Sequence, residues 1–431
     1  VAQHYDAIRS DDKVIGGILD RLKADGLSES TIVVYFSDHG ANNLVRHKQM
    51  PTEGGLHVPF IVLGPSKWVA NPGTVRDDLI NTLDLTATSL AWAGIEKPKW
   101  CEGQDLFADD FQPRTFVAGA KDRLDHTIDR VRTIRTDRFR YTRNYFLDRV
   151  FLQPQYRDNR PFLQSIKEAY AAGTLAPKLA EIYFGERPAE ELYDLTADPD
   201  EVNNLAGSPA HQEKLEELRK AQQDWCRSIR DLGFLPEGEI HSRSGEGAPY
   251  DMGHNDKVYP MERVMNAAEI ASMKSEPAGK ELAKLITDKD SAVRYWAAMG
   301  YLIRGEKAVA SGREQLREAL NDKSTAVVCV AAEALGRYGK GKDQSAAIDT
   351  LMKHADVSKN SVFTSMLALN ALDYVDDNAK RYAATIKVLP TKGKITPARM
   401  GNYVPNLISK TAADLGVKVE SKPKRPRKNR K

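Results

Sequence analysis

The sequence predicts an α/β core followed by an all-α repeat domain, on three observations. Thr31–Phe36 is apolar and β-branched, the composition of a strand covered on both faces in a parallel sheet, and a polar loop leads from it to a second apolar run at 57–63. Helical patterns flank the pair: the helix predicted at 11–24 sets Val14, Ile18, Leu19 and Leu22 on one face and ends at Gly26, and that at 75–93 carries Leu79, Ile80, Leu83 and Leu90 and ends at Gly94. Far downstream, Asp288-Lys-Asp-Ser-Ala-Val293-Arg-Tyr-Trp-Ala297-Ala298 recurs as Asp322-Lys-Ser-Thr-Ala-Val327-Val-Cys-Val-Ala331-Ala332, and Asp356 opens a third copy with Val362 displaced by one. Both spacings are 34 residues, a period at which one unit cannot bury its own apolar face and must stack on the next.

Between these ends, Arg130–Thr136 and Phe139–Tyr145 read as a hairpin turning at Thr136-Asp137-Arg138. Glu191–Leu195 reads as a short strand, and Asp198-Pro-Asp-Glu201 as a turn into a helix near 210–231. The Gly, Ser and His content of 237–261 reads as a linker. In each repeat the Asp is expected to cap a helix, the Val to pack inward and the Ala pair to permit close helix approach.

Composition sets bounds. A chain of 431 residues can hold two or three domains, and its 29% charged and 41% hydrophobic residues are ordinary for a globular protein. No apolar run nears the roughly 18 residues that a membrane helix needs. Cys101, Cys226 and Cys329 are odd in number and far apart, which excludes a disulfide framework and a Cys-x-x-Cys metal site. The net charge of +3 divides into +7 in Lys418–Lys431 and −4 elsewhere. That tail reads as a solvated, disordered terminus, with contact to a polyanion as the sharper alternative and no specific nucleic acid implied.

The chemistry concentrates after the first strand. Asp38 offers hard carboxylate oxygens and His39 an imidazole, a metal-ligand pair at the carboxyl end of a strand, where α/β enzymes place their sites. Lys48 offers a cation for an anionic substrate; His47 and His57 read first as loop or packing residues and second as minor contributors.

The run Ser37-Asp38-His39-Gly40, Lys48, Glu53-Gly54-Gly55, Val58-Pro59 resembles the sulfatases of the alkaline phosphatase superfamily. Glu191-Leu-Tyr-Asp-Leu195 with Asp198-Pro-Asp-Glu201 and Asn204-Leu205 is similar to a second sulfatase string, and Gly103-Gln-Asp-Leu106 to a third; the 34-residue units resemble HEAT repeats. The resemblance implies an alkaline-phosphatase-like core over 1–110, its C-terminal part, and a small α+β subdomain over 111–236. A linker at 237–261, HEAT-like helices over 262–416 and a basic tail at 417–431 complete the expected order. It also implies hydrolysis of sulfate esters or sulfamates on a sulfated carbohydrate. Asp38 and His39 would be metal ligands, for calcium first and zinc second, and Lys48 a catalytic cation on the sulfate. Arg123, Asp125 and His126 would be substrate contacts.

Sulfatases use a formylglycine made from Cys or Ser in Cys/Ser-x-Pro/Ala-x-Arg. The three cysteines fail that pattern, and Ser275-Glu-Pro-Ala-Gly279 lacks the Arg. The nucleophile is therefore expected upstream of Val1, the chain reads as an N-terminally truncated piece, inactive alone, and the family implies a periplasmic or secreted parent. A zinc phosphodiesterase of the same superfamily and a non-catalytic scaffold, in which the repeats bind a protein partner, stay open as alternatives.

Overall fold

The protein is described by a computed structural model over residues 2–274, 276–394 and 396–417. Ser275 and the basic residues 418–431 lie outside the described residues. The chain forms two compact units. The first contains the described residues up to Gly119, with Ile134–Arg140 and Asp194–Glu201; the second contains Ala120–Thr133, Tyr141–Tyr193 and the described residues from Val202 onward.

In the first unit, helix Ala2–Ala24 starts earlier than predicted and leaves Val14 (60%) and Ile18 (53%) exposed. Strand β1 (Val33–Phe36) pairs with β2 (Phe60–Leu63) in antiparallel register, Val33 opposite Leu63 and Phe36 opposite Phe60. This corrects the expectation of a doubly covered parallel strand. The 37–59 loop returns the chain alongside β1, and among the described residues no third strand joins the pair, so Tyr35, Phe36, Ile61 and Leu63 stay exposed. β-Branched composition reports that a strand suits burial, not which neighbour it finds.

The helix predicted at 75–93 begins only at Thr82 and runs to Trp92. Asn81 closes a capping box: its Oδ1 accepts from the Leu83 N–H at 3.1 Å, and Asp84 Oδ2 accepts from the Asn81 N–H at 2.7 Å. Asp84 is fully buried, takes both arms of Arg114 at 2.6 Å, and accepts from the Gln104 N–H. Gly103 lies against this turn; a Cβ there would sit 2.1 Å from the Leu83 carbonyl oxygen.

Strands β3 (Val117–Leu124), β4 (Thr127–Arg135), β5 (Phe139–Asn144) and β6 (Glu190–Asp194) form a four-stranded sheet in chain order. Thr136 makes the β4–β5 turn, its N–H bonding the Phe139 carbonyl and its Oγ1 accepting from the Phe139 N–H.

Three helical pairs follow: 276–285 with Ser291–Arg304, 306–319 (broken at Gly312) with Thr325–Tyr338, and Lys342–Ala355 with Val362–Val375. Helices Met261–Ser272 and Tyr403–Asp414 flank them. Val293, Val327, Val362 and the two Ala pairs are buried as their spacing predicts. The repeating Asp does not cap, which corrects that expectation. Asp288, Asp322 and Asp356 each accept from the N–H two residues on (2.7, 2.8 and 3.0 Å), forming Asx turns that lead into caps at Asp290, Ser324 and Ser361. Arg294 then reaches Asp322 of the next unit at 2.6 Å.

The segment 237–261 is not an extended linker. It folds into helices Glu237–Ser244 and Pro249–Gly253, because Glu239 and Arg243 pair one turn apart and Arg243 also grips Asp290 at 3.0 Å, while Met252 and Tyr259 are buried. Nor do 111–236 and 262–416 keep separate cores. One apolar cluster takes Tyr145, Phe146, Cys226 and Phe234 together with Trp296 and the repeat helices.

Candidate active site

The Ser37–Gly40 turn follows β1 directly. Ser37 Oγ donates to the His39 carbonyl at 2.7 Å, and His39 Nδ1 lies 2.7 Å from the Gly40 carbonyl oxygen. A ring nitrogen this close to a carbonyl donates to it, so that in the neutral ring it is Nε2 that carries the lone pair. That Nε2 stands 3.4 Å from Asp38 Oδ1, whose side chain is 83% exposed. The turn thus presents an imidazole nitrogen and a carboxylate oxygen side by side, with the tautomer fixed by a second hydrogen bond as metal-binding histidines require. The donor set fits two ligands of a divalent cation. Among the described residues no group of three His, Cys, Asp or Glu comes together to complete such a site.

The loop after the turn is folded back on it through three glycines. Gly40 N–H bonds the Gly55 carbonyl at 3.1 Å, and a Cβ on Gly40 would fall 1.8 Å from the Gly54 carbonyl oxygen. A Cβ on Gly54 would strike the His47 ring at 2.8 Å, and one on Gly55 would meet the Met50 carbonyl oxygen at 2.0 Å. These approaches explain the Gly-Gly pair physically. Lys48 is held within this fold, its N–H directed at the Ala41 carbonyl at 3.4 Å, two residues beyond His39. Val45 and Met50 are buried on either side of it.

Glu53 does not point at this turn. Its carboxylate takes His57 Nδ1 at 2.8 Å, Arg140 Nη2, and Arg135 Nη2 at 3.4 Å. Burial would raise its pKa, but the hydrogen bond from His57 and the charges of Arg140 and Arg135 outweigh that and bring it down to about 2. The Glu53 hydrogen bond raises that of His57 in turn. Burial, with the neighbouring cations, lowers that of His47. Sequence reasoning gave Glu53 no charge partner and left Glu201, Arg46 and Arg140 without a role. Arg46 and Glu201 both stand in or beside motif strings, but only the fold shows that they meet.

Arg123, Asp125 and His126 belong to the second unit, where they engage helices downstream of them. Arg123 Nε pairs with Glu237 at 3.0 Å, and its Nη1 donates to the Tyr403 hydroxyl at 3.2 Å. That hydroxyl donates to Asp125 Oδ1 at 3.3 Å. Asn370 donates to the His126 carbonyl at 2.9 Å, and the His126 ring is buried edge-on to Tyr403, with burial lowering its pKa. Arg123 keeps 31% of its side chain exposed and lines a cavity of about 400 Å³ with Asp122, Glu237, Ile240 and Phe363.

All three cysteines are free and buried; burial pushes the Cys329 thiol up to about 12 and raises that of Cys226 as well. One string does meet Ser-x-Pro-x-Arg: Ser421-Lys-Pro-Lys-Arg425, within the basic tail and outside the described residues. Among the described residues no helix is long and apolar enough to cross a membrane.

Comparison with known proteins agrees with the two-part reading. A sulfatase family model matches residues 1–95, and a HEAT-repeat model matches residues 279–371. An ulvan-active sulfatase of Formosa agariphila is 35% identical over 57% of this chain and 41% of its own length. The N-sulphoglucosamine sulphohydrolase of Homo sapiens is 26% identical over 56% of this chain and 51% of its own. A solved protein in complex with its substrate D-glucosamine-2-N,6-O-disulfate is 21% identical over 52% of this chain and 40% of its own, with a TM-score of 0.39. The chain therefore spans about half or less of the length of these relatives.

Proposed function

Residues 1–95 being sulfatase-family sequence and 279–371 HEAT repeats, we propose that the chain is part of a metal-dependent sulfatase that removes sulfate from a sulfated carbohydrate. The observation that carries this is the loop geometry: Gly40, Gly54 and Gly55 fold the Lys48 segment onto the Asp38–His39 turn. A fixed ammonium there would stabilise the charge that a sulfate oxygen gains as its S–O bond breaks. Asp38 and His39 Nε2 would hold the cation, calcium by preference for the carboxylate and zinc second. When bound, that ion adds a further positive charge against the sulfate oxygens. In the second unit, Arg123 and Asp125 stay partly exposed while His126 is buried, which leaves the first two as the members of the trio to meet a sugar hydroxyl or a second sulfate.

The formylglycine mechanism is part of the same proposal. No cysteine here stands in its sequence pattern, and Ser421 matches it only within a Lys/Arg run. The nucleophile is assigned to a segment outside these 431 residues, and this chain alone is expected to be inactive. The family suggests a periplasmic or secreted enzyme.

The test assays the full-length protein and the 431-residue chain with a chromogenic sulfate ester in calcium. The full-length protein should turn over, and Lys48→Ala should cost it on the order of 100-fold in kcat, as removing one charge-stabilising donor does. An unchanged rate in Lys48→Ala refutes the assigned role. Turnover by the chain alone refutes the external nucleophile, and its loss in Ser421→Ala would then name the residue. Preference for a phosphodiester over the sulfate ester would favour the phosphodiesterase reading.

A further inference from the structure

Two sequence strings that stand about 150 residues apart, Lys48 to Gly55 and Asp198 to Glu201, converge on a single carboxylate. Glu201 Oε2 accepts the Glu53 N–H at 3.0 Å and lies 3.4 Å from Arg46 Nη2. Arg46 Nη1 donates to the backbone carbonyls of Asp200 (2.7 Å) and Glu201 (2.6 Å). Arg46 and Glu53 bracket the segment that carries Lys48, so one residue fastens both of its ends. The other carboxylate oxygen, Oε1, stands 2.8 Å from Arg140 Nε, and Arg140 also binds the Glu53 side chain.

The backbone shows what this arrangement demands. Glu201 is 2% exposed and sits at φ 54°, and Gln49, inside the bracketed segment, sits at φ 66°. Side chains other than glycine rarely adopt that region, and such strain persists where the surroundings over-determine it. A packing role alone would not need a buried glutamate in a left-handed conformation with backbone and side chain both used on one loop.

We propose that Glu201 is a positioning residue for Lys48. Acting through Arg46 and the Glu53 N–H, it holds the 46–53 loop so that the Lys48 ammonium keeps one place at the sulfate. Glu201 does not itself touch substrate. The assignment rests on the sulfatase reading above and deepens it by naming what fixes the cation.

A double-mutant cycle in the full-length enzyme tests it, with kcat and KM followed separately on the chromogenic sulfate ester and folding checked by thermal melt. Glu201→Gln should lower kcat by roughly 10- to 100-fold, the scale of a displacement near 1 Å. In a Lys48→Ala background the same change should alter kcat less than about twofold, because residues that act as a unit do not add. Arg46→Lys keeps the charge but loses the two-pronged grip, and should show the same pattern. If Glu201→Gln does not fold, Arg46→Lys decides. Equal factors in both backgrounds would overturn the positioning role and leave the sulfatase reading standing. A wild type that turns over no sulfate ester would instead overturn that reading, and this assignment with it.

Discussion

Replacing Glu333 by Ala should unlock the joint between the strands and the repeats of the second unit. Glu333 lies on helix Thr325–Tyr338 and takes both arms of Arg149 at 2.6 and 2.7 Å. Asp148 stands 2.9 Å from Arg149 and 3.2 Å from Arg337, and Arg337 also reaches Glu333 at 3.3 Å. Two cations and two anions thus share a site in which Arg149, Glu333 and Asp148 are at most 9% exposed, and the Arg149 guanidinium lies over the Tyr374 ring. Glu333→Ala leaves two cations on one carboxylate without water to solvate them, at a cost of about 3–5 kcal/mol. With a urea slope near 3 kcal/mol per molar, the midpoint should fall by about 1–1.7 M. The assay is urea unfolding read by tryptophan fluorescence, Trp296 being fully buried in this core, with amide exchange across 325–338 as a local check. The double replacement Arg149→Met with Glu333→Leu removes one charge of each sign and should recover most of the loss. A midpoint for Glu333→Ala within about 0.3 M of wild type, or a double mutant as weak as the single, would refute the uncompensated-charge reasoning.

Gly55→Ala should destabilise the Lys48 loop by about 1–3 kcal/mol or more, since the new methyl meets the Met50 and His47 carbonyls at 2.0 and 2.5 Å; a thermal melt that does not move would show that the loop can yield. The Glu53 cluster sets an acid limit. Its carboxyl is near 2 when folded against an ordinary 4.5, so its stabilisation is complete above about pH 4.5 and is lost as pH falls towards 2. His57, raised from 6.5, contributes fully below about pH 6.5 and loses its share as pH rises through its folded value. Melts between about pH 2 and 5 should show the acid limb flatten in Glu53→Gln, and an unchanged slope would exclude Glu53 as its source.

What the sequence makes legible here follows the range of the interaction. The Ser37–Gly40 turn, the glycines at 54 and 55, the hairpin turn at Thr136 and the 34-residue helical period all depend on near neighbours, and a linear reading finds them. Glu201 depends on partners about 150 residues away, and within its own string looks like one more turn residue. Asp84, to which the sequence gives no role, is likewise set by later residues, Arg114 and the Gln104 N–H. Composition also misjudged 237–261, where Gly and Ser suggested a linker but Glu239 and Arg243 supplied enough pairing to fold it.

The same distinction bears on what the repeats are for. A helical-repeat domain invites a search for an external partner, because its stacked helices expose long faces. Here part of that face is already taken from within the second unit. Trp296 Nε1 donates to the Phe234 carbonyl at 2.8 Å, with Tyr145 and Phe146 packed on its ring, and Arg143 reaches Glu269 at 2.8 Å. Asn370 and Tyr374 bond to His126 and Gln153. Each contact joins a residue from the strand-bearing part to a repeat or flanking helix, and one of them, Arg143 to Glu269, is an ion pair whose loss on the Glu269 side leaves a buried guanidinium without its partner. A cut between 236 and 262 would therefore expose Phe234, Trp296 and Arg143 together rather than release two finished domains. The repeats serve first as the missing half of the strands' own core.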